Sequence, residues 1–267
     1  MIRFVKMHGA ANDFVMIDDR DGTFPIHDRA FVAALAAAHT GVGCEGVILV
    51  QQSATADFRM VFFNPDASEA DLCGNGARCT AAFAREIGAA LNAKMAFETR
   101  AGLVEAEVLT PESVKVWMPE PRARRYGIET EGVLGDFIVT GVPHFVTECE
   151  RLAEADVDAM GRRLRFAAAF APAGTNVDFV SFAPPHTLNI RTYERGVEAE
   201  SGACGTGAVA AAVTAVERHA LAWPVEVHTA KGYTLIINRE QRQDGGEGIT
   251  LTGPVKRVFE GEIRNEE

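Results

Sequence analysis

The sequence has 267 residues, of which 47% are hydrophobic and 24% charged, and its formal net charge is −11. Such values are typical of a globular protein with one large domain or two of about 130 residues. The acidic excess argues against non-specific binding to nucleic acid or to an anionic membrane. No apolar run has the length of a membrane span, and the opening segment, MIRFVKMHGAANDF, lacks the apolar core of a signal peptide. We therefore expect a cytoplasmic protein.

Alternating and apolar segments predict a chain of mixed α/β (α+β) structure. In the first half the sequence predicts strands at 3–7 and 14–17, a helix over 29–39, strands at 47–50 and 57–63, a helix over 75–87, and strands at 95–99, 103–109 and 114–118. In the second half it predicts helices near 153–163 and 207–219, and a closing strand over 252–263 that returns to the first half. A Pro- and Arg-rich segment, WMPEPRARR, separates the halves at 117–125.

An internal repeat links the two halves. The stretch ADLCGNGARC (70–79) resembles SGACGTGAVA (201–210), and aligning Cys73 with Cys204 sets an offset of 131 residues. The same offset aligns Asp13-Phe14-Val15 with His144-Phe145-Val146, and Gly43 with Gly174. We therefore predict an N-terminal repeat over 1–118, completed by 255–267, and a C-terminal repeat over 119–254.

The repeated cysteines precede two predicted helices that are apolar on nearly every face, which indicates helices buried on all sides. The glycines around each cysteine permit unusual backbone conformations and leave room for a ligand. A helix N-terminus binds anions and lowers the pKa of a nearby thiol. Both cysteines are therefore candidate reactive groups beside a bound carboxylate.

The remaining cysteine and glycine motifs favour ordinary structural roles. The sequence has five cysteines, which is a sparse and odd-numbered set, whereas a secreted disulfide scaffold usually has more cysteines and an even number. Cys44, Cys79 and Cys149 lack the glycine turn, so we interpret these three as packing residues. Residues 41–46 fit G-x-G-x-x-G but follow a predicted helix and precede a strand, the reverse of a dinucleotide site. No His or Cys spacing indicates a metal site.

Paired thiols suit the inversion of a stereocentre next to a carboxylate. A thiolate removes the α-proton on one face, a thiol returns a proton on the other, and the helix N-termini stabilise the charge that develops on the carboxylate. Such a reaction needs no cofactor.

Five motifs in order, KMHGAANDFVMID, FNPDASEADLCGNGARC, GVPHFV, GTNVDFV and YERGVEAESGACGTGA, resemble those of the diaminopimelate epimerases. The resemblance implies two pseudo-symmetric domains, each a mixed sheet or barrel wrapped around a central buried helix, with the active site in the interdomain cleft. It also implies a homodimer that interconverts LL- and meso-diaminopimelate without pyridoxal phosphate or another cofactor, in lysine and peptidoglycan precursor synthesis.

Carried over position by position, the resemblance implies a catalytic acid–base pair, two polar neighbours that set its protonation, and a set of substrate contacts. The pair is Cys73 and Cys204, and the polar neighbours are His144 and Glu194. The implied substrate contacts are Asn12, Asn64, Gly74, Asn75, Asn176, Glu194, Arg195, Gly205 and Thr206. Among these, Arg195 is suited to a bidentate grip on the distal carboxylate.

The chain departs from the family pattern at Val142, where asparagine is usual, at Ala11, where glycine is usual, and in the spacing between Arg195 and Cys204. These departures leave open a racemase for another amino acid on the same fold. A binding protein switched by a Cys73–Cys204 disulfide and a cysteine hydrolase using Cys73 with His144 are further alternatives. Phenazine-pathway isomerases of the same fold fit less well, because as a rule they lack the paired cysteines.

Overall fold

The computed structural model describes residues 1–242 and 245–264. Over these residues it contains four α-helices: α1 (Arg29–Ala36), α2 (Gly74–Glu86), α3 (Val157–Arg165) and α4 (Gly205–Arg218). Two short 3-10 helices lie at Leu152–Glu154 and Ala168–Phe170. The strands, in chain order, are β1 (Ile2–Gly9), β2 (Asn12–Asp18), β3 (Gly46–Gln51), β4 (Phe58–Phe63), β5 (Glu69–Ala70), β6 (Lys94–Thr99), β7 (Gly102–Thr110), β8 (Ser113–Trp117), β9 (Arg122–Thr130), β10 (Val133–Thr140), β11 (Val142–Glu148), β12 (Asn176–Ala183), β13 (Thr187–Glu194), β14 (Ala199–Ser201), β15 (Val225–Thr229), β16 (Thr234–Gln241), β17 (Glu247–Pro254) and β18 (Lys256–Ile263).

The chain forms two compact units. The first comprises Met1–Val116 together with the C-terminal segment that begins at Gly253, and the second comprises Trp117–Thr252. Because β18 pairs antiparallel with β1, the end of the chain completes the sheet of the first unit.

The first unit wraps a mixed sheet around α2. Strand β2 pairs antiparallel with β1 and parallel with β3, and β4 connects β3 to the β6–β7–β8 meander. Helix α2 packs against β1, β2, β3 and β7, whereas the shorter α1 packs on β3. The first turn of α2 therefore lies among the strands of its own unit.

The second unit repeats this arrangement around α4. Strand β11 pairs antiparallel with β10 and parallel with β12, and β13 connects β12 to β15 and β16. Helix α4 packs against β10 to β13 and against β15 and β16. Its alanines from Ala208 to Ala212 are fully buried, because small side chains let strands approach the helix from every side.

Strand register follows the repeat found in the sequence. In the first unit Phe14 pairs with Gly46 across the parallel β2–β3 ladder, and in the second Phe145 pairs with Val177 across β11–β12. Both pairs are separated by the same 131 residues as Cys73 and Cys204. The predicted α/β class, with a mixed sheet around a central helix in each half, is confirmed.

Most predicted elements lie within two residues of the observed bounds, and three differ more. The helix predicted over 29–39 ends at Ala36, because Ala37 is extended and the chain turns back so tightly that a Cβ on Gly41 would lie 2.0 Å from the Ala34 carbonyl oxygen. The helix predicted near 153–163 is a 3-10 turn followed by α3, which begins after Asp156 because that carboxylate caps the Ala159 N–H. The closing strand predicted over 252–263 is interrupted between β17 and β18, where the Val255 N–H bonds instead to the Glu112 carbonyl.

Among the helices of the described residues, none is both long and apolar enough to cross a membrane.

Candidate active site

A cysteine occupies the N-cap position of each central helix. Cys73 precedes α2 and Cys204 precedes α4, both with extended backbone, and neither side chain caps its own helix through a hydrogen bond. The first N–H groups of an α-helix have no partner within that helix and carry its positive dipole end. Each first turn, Gly74-Asn75 and Gly205-Thr206, therefore combines a thiol with backbone donors suited to a carboxylate.

The glycines of the two turns act through close packing. None of them lies in the left-handed region, so the expectation of unusual backbone conformations is wrong for this feature. A Cβ on Gly207 would instead lie 2.5 Å from Asp178 Oδ1, and one on Gly76 would lie 3.0 Å from Ile48 Cδ1. Glycine is needed where neighbouring atoms press against the helix, most of all at Gly207.

The Cys73 cluster consists of Asn12, Cys73, Asn75 and Arg78. Asn12 begins β2 directly after a tight turn in which Ala10 and Ala11 both have positive φ, and its Nδ2 lies 3.9 Å from Cys73 Sγ. Within the part of the chain that the structure describes, Asn12 Oδ1 is buried without a hydrogen-bond partner. This amide oxygen is available to accept a hydrogen bond from a ligand, since buried acceptors are normally satisfied.

Arg78 and Asn75 form the buried base of the Cys73 cluster. The Arg78 side chain is fully buried, its Nη2 donates to Asn75 Oδ1 at 2.8 Å, and its Nη1 donates to the Gly74 carbonyl at 3.3 Å. Burial lowers the pKa of Arg78, whereas negative charge on Cys79 or Cys73 raises it. Sequence reasoning missed Arg78, although an arginine in the first turns of an otherwise apolar, alanine-rich helix segment was a visible signal.

Asn64 lies in the same unit, directly after β4. Its Nδ2 donates to Ser68 Oγ at 3.0 Å and its backbone N–H donates to the Ser68 carbonyl. These bonds form a turn around Ala67, which has positive φ, immediately before β5. A role for Asn64 in substrate binding stays a prediction.

The Cys204 cluster consists of His144, Asp178, Glu194, Cys204 and Thr206. A chain of contacts begins at Cys204 Sγ, which lies 3.4 Å from Thr206 Oγ1. Thr206 Oγ1 lies 3.0 Å from His144 Nε2, and His144 Nδ1 lies 2.7 Å from Asp178 Oδ2. His144 and Asp178 are completely buried, so this pair is fixed by the core of the second unit.

The tautomer of His144 follows from its neighbour Asn176. The amide of Asn176 can be oriented in one way only, because Oδ1 accepts from the Arg195 N–H at 2.7 Å and Nδ2 donates to the Pro143 carbonyl at 3.1 Å. Nδ2 also lies 3.4 Å from His144 Nε2, so Nε2 is the acceptor. We therefore assign the proton to Nδ1, which donates to Asp178, and Thr206 donates its hydroxyl proton to Nε2.

This proton arrangement makes Cys204 the donor at the end of the chain. Because the Thr206 hydroxyl donates its hydrogen bond to His144, its oxygen is left to accept a hydrogen bond from the Cys204 S–H group. Burial raises the pKa of Cys204 well above its usual value, and the nearby Glu194 and Asp178 carboxylates raise it further. The expectation of a lowered pKa at this helix N-terminus is therefore wrong for Cys204.

Glu194 and Arg195 lie at the end of β13. Burial raises the pKa of Glu194, and the charge of Asp178 adds to this, while Ser201 and His144 act in the opposite direction. Arg195 is half-buried, with its backbone held by Asn176 and its Nη1 3.4 Å from the Ala173 carbonyl. Asn176 is thus occupied in fixing this segment, and its predicted contact with substrate remains a prediction.

Asp178 is a second residue that sequence reasoning missed. It lies on β12, holds His144, and accepts from Thr192 Oγ1 at 2.8 Å. A carboxylate in the apolar strand segment NVDFV was the available signal, because charged residues are rarely fully buried unless paired. No group of three His, Cys, Asp or Glu side chains in the described ranges is arranged to hold a metal ion.

Solved structures define the class of fold. The chain superimposes on a Bacillus anthracis phenazine biosynthesis protein of the PhzF family with a TM-score of 0.72 at 17% identity, covering 98% of this chain and 99% of that one. It also matches a hydroxyproline epimerase from Agrobacterium vitis with a TM-score of 0.65 at 16% identity, covering 97% and 91%. At these identities the likeness shows the fold alone, the one that this chain shares with both proteins.

Sequence comparisons identify the family. The family model described as diaminopimelate epimerase matches residues 4–123 and 137–258. The diaminopimelate epimerase of Aquifex aeolicus is 41% identical, with 99% of both chains covered, and that of Chlorobaculum tepidum is 39% identical, with 96% and 99% covered. The chain belongs to the diaminopimelate epimerase family, and it is an amino-acid epimerase, an isomerase.

Proposed function

We propose that this epimerase interconverts LL- and meso-diaminopimelate by moving the α-proton between Cys73 and Cys204, in lysine and peptidoglycan precursor synthesis. The observation that carries the proposal is the presence, in a member of this family, of two thiols at equivalent helix N-termini. Inversion requires a base on one face of the α-carbon and an acid on the other, and two like groups in opposite protonation states supply both.

The proposed proton transfers balance without a cofactor. One thiolate takes the α-proton, so that the C–H bond breaks and its electron pair remains on the α-carbon, where the carboxylate delocalises it. The opposite thiol then gives its proton to the other face and becomes the thiolate. In the proposal, the N–H groups of Gly74-Asn75 and Gly205-Thr206 hold the reacting carboxylate and stabilise its added charge.

The remaining polar groups are proposed to position the substrate and the thiols. Asn12, with its unsatisfied Oδ1, fits a contact with a donor on the substrate. Arg195 fits the distal carboxylate, because a guanidinium binds a carboxylate through two parallel bonds. His144 and Glu194 are proposed to act on the protonation of Cys204 through the contacts described above. The proposed substrate contacts of Asn64 and Asn176 rest on the family motif.

Proton exchange in deuterated water tests the two-thiol reaction. With LL-diaminopimelate under reducing conditions, we expect the unmodified protein to incorporate deuterium at the α-carbon and to form the meso epimer. Cys73→Ala and Cys204→Ala should each lower the inversion rate at least ~1000-fold, because each removes an essential acid–base group. Cys149→Ala, a partly buried cysteine outside both clusters, is the matched control and should invert at an unchanged rate.

Substrate choice is tested separately, because Val142 replaces a residue that is usually asparagine. Turnover of LL-diaminopimelate should exceed that of proline, histidine and glutamate by at least ~100-fold, since the last three lack a second amino-acid centre for Arg195 and its neighbours to hold. A preference for any of these three would replace the proposed substrate while leaving the two-thiol reaction intact.

We also propose a reducing cytoplasm as the site of action and a homodimer as the working form. All five cysteines are free thiols, and the proposed reaction needs two of them reduced. Titration of accessible thiols with and without reductant, read together with activity, separates this enzyme from a redox-switched binding protein, in which oxidation would change ligand binding and no inversion would occur. Light scattering at micromolar concentration reports the oligomeric state.

A further inference from the structure

The two thiols have opposite electrostatic surroundings within their own units. The Cys73 cluster contains the fully buried guanidinium of Arg78, whereas the Cys204 cluster contains the carboxylates of Asp178 and Glu194. The position equivalent to Arg78 on α4 is Val209, which is apolar and fully buried. Although the two repeats are similar in sequence, the charges close to the two cysteines therefore differ in sign.

Arg78 has no carboxylate partner in the part of the chain that the structure describes. Within residues 1–242 and 245–264 its hydrogen bonds go to the neutral Asn75 amide and to the Gly74 carbonyl, and its Nε is buried without a partner. An arginine stays protonated in proteins, and a buried charge without a counter-charge is costly. An anion close to Arg78 would remove that cost.

The nearby thiols are the candidates for this anion. Cys79 lies beside Arg78 on α2, but burial raises the pKa of Cys79 to about 12, so it is uncharged at neutral pH. Cys73 is partly exposed and lies five residues before Arg78, at the N-cap of α2. It directly precedes Gly74, whose carbonyl accepts from Arg78, and its negative charge interacts with that of the guanidinium. Cys73 is therefore the group that can carry the compensating negative charge.

The other charged groups on the elements around α2 have partners of their own. Lys6 on β1 pairs with Asp13 on β2, Glu107 on β7 pairs with Lys115, and Glu69 and Asp71 both pair with Arg100. Burial and Lys256 lower the pKa of His8, also on β1, with Asp13 acting in the opposite direction, and β3 carries no charged residue. Glu105 on β7 also has a partner.

The elements around α4 differ, because carboxylates face Cys204. Asp136 on β10 pairs with Arg218, Arg191 on β13 pairs with Glu200, and Arg239 on β16 contacts Glu120 and Glu247. Glu194 and Asp178 raise the pKa of Cys204, and the proton assignment at His144 and Thr206 places a proton on its sulfur.

We infer that Arg78 is a positioning residue that holds Cys73 as the thiolate of the resting enzyme, while the carboxylates and the His144–Thr206 pair keep Cys204 as the thiol. The inference rests on the proposed function for its meaning in catalysis. Cys73 is then the base in the first turnover of free enzyme and Cys204 the acid. After that turnover the protons are reversed, and exchange with solvent restores the resting form.

Alkylation by iodoacetamide tests the inference without substrate, because the thiolate is the form that reacts. The rate at each cysteine is measured from pH 5 to 10 by mass spectrometry of the separated peptides. The midpoint of each cysteine is the pH at which its alkylation rate reaches half of the maximum. In the unmodified protein we expect the midpoint of Cys73 to lie at least ~1 pH unit below that of Cys204. Equal midpoints, or the reverse order, overturn the inference.

Substitutions of Arg78 isolate its charge. Arg78→Met should raise the Cys73 midpoint by ~1 pH unit or more, slow its alkylation about tenfold at pH 7, and leave the Cys204 midpoint in place. Arg78→Lys keeps the charge and should restore most of the shift, and Arg85→Met, on the exposed face of the same helix, should change neither midpoint. A folded Arg78→Met protein with an unmoved Cys73 midpoint overturns the inference. If Arg78→Met does not fold, Arg78→Gln is measured in its place. If neither variant folds, the order of the Cys73 and Cys204 midpoints in the unmodified protein decides the question.

Kinetics with diaminopimelate connect the charge to turnover. The acidic limb of the pH profile of kcat/KM reports groups of the free enzyme, so it should move with the Cys73 midpoint in Arg78→Met. Absence of turnover in the unmodified protein would overturn the proposed function. It would not affect the alkylation result, because that experiment uses no substrate.

Discussion

The first turns of α2 and α4 share a sequence pattern and differ in what supports them. Around Cys73 the support is a single buried cation and two amides, Asn75 and Asn12. Around Cys204 it is a chain of hydrogen bonds through Thr206 and His144 to Asp178. A duplicated backbone can thus provide equivalent backbone donors while unequal side chains surround the two thiols, a buried cation near Cys73 and carboxylates near Cys204. For a reaction that needs one acid and one base, this inequality is useful.

The largest effect is expected from substitution of Asp178, which supports the Cys204 turn from β12 and whose equivalent in the first unit is Val47. Asp178→Ala should lower the free energy of unfolding by about 2–4 kcal/mol, because it leaves His144 and Thr192 with buried unsatisfied groups. It should also reduce inversion at least ~100-fold, since His144 loses its orientation. Urea unfolding followed by circular dichroism and the epimerase assay measure the two effects.

Val47→Ala is the matched control for this change, since it also truncates a fully buried residue but breaks no hydrogen bond. It should cost stability of the kind expected for a lost pair of methyl groups, about 1–3 kcal/mol, with little effect on kcat in the folded protein. Equal losses of activity in the two variants would contradict the role given to the Asp178–His144 pair.

The equivalent glycines Gly76 and Gly207 offer a second comparison. Gly207→Ala should lower the free energy of unfolding by about 1–3 kcal/mol and displace the carboxylate of Asp178, because the new Cβ would lie 2.5 Å from its Oδ1. Gly76→Ala should cost less than about 1 kcal/mol, because its nearest neighbour, Ile48 Cδ1, is the movable end of a side chain 3.0 Å away. Unfolding curves of both variants check the order, and a greater loss in Gly76→Ala would contradict it.

The sequence was sufficient to predict the repeat, the two cysteine-capped helices and the mixed sheet around each. These features follow from local signals, such as a helix that is apolar on all faces after a glycine turn. The break between the 3-10 turn at Leu152–Glu154 and α3 was not predicted, because it depends on the Asp156 cap rather than on periodicity.

Supporting residues of the site were harder to predict than the thiols. Arg78 and Asp178 contact other polar groups only after strands and helix have packed, and neither has a counterpart in the other repeat. Thr206 was predicted for its backbone N–H, whereas the structure also places its hydroxyl between Cys204 and His144. The motif predicts which residues form the site, and the packed fold shows which atoms of Cys204, Thr206 and His144 contact one another.

A smaller effect is expected from the Thr206 hydroxyl, at the position equivalent to Asn75. Thr206→Val removes the link between Cys204 and His144 while keeping the shape, and should lower kcat about tenfold with little change in KM. Thr206→Ser keeps the hydroxyl and should retain most of the activity. Steady-state kinetics of both variants decide the point, and equal kcat values in the two would show that the hydroxyl takes no part.

The smallest expected effect is the pH dependence of stability that arises from Glu194. Because burial raises its pKa in the folded protein above the usual value of 4.5, the folded state holds this proton more tightly than the unfolded state. The contribution of Glu194 to stability is therefore least unfavourable below pH 4.5 and becomes more unfavourable as the pH rises to the folded-state value. Glu194→Gln removes this loss, so its stability relative to the unmodified protein should increase from pH 4 to pH 7. Urea unfolding at several pH values measures the difference in free energy of unfolding between the variant and the unmodified protein. Glu226→Gln, at an exposed position on β15, is the control, and its difference should stay constant with pH. A Glu194→Gln difference that is also constant with pH would mean that the carboxyl of Glu194 is solvated as it is in the unfolded chain, and the second cluster would then lack one of the two carboxylates that distinguish it from the first.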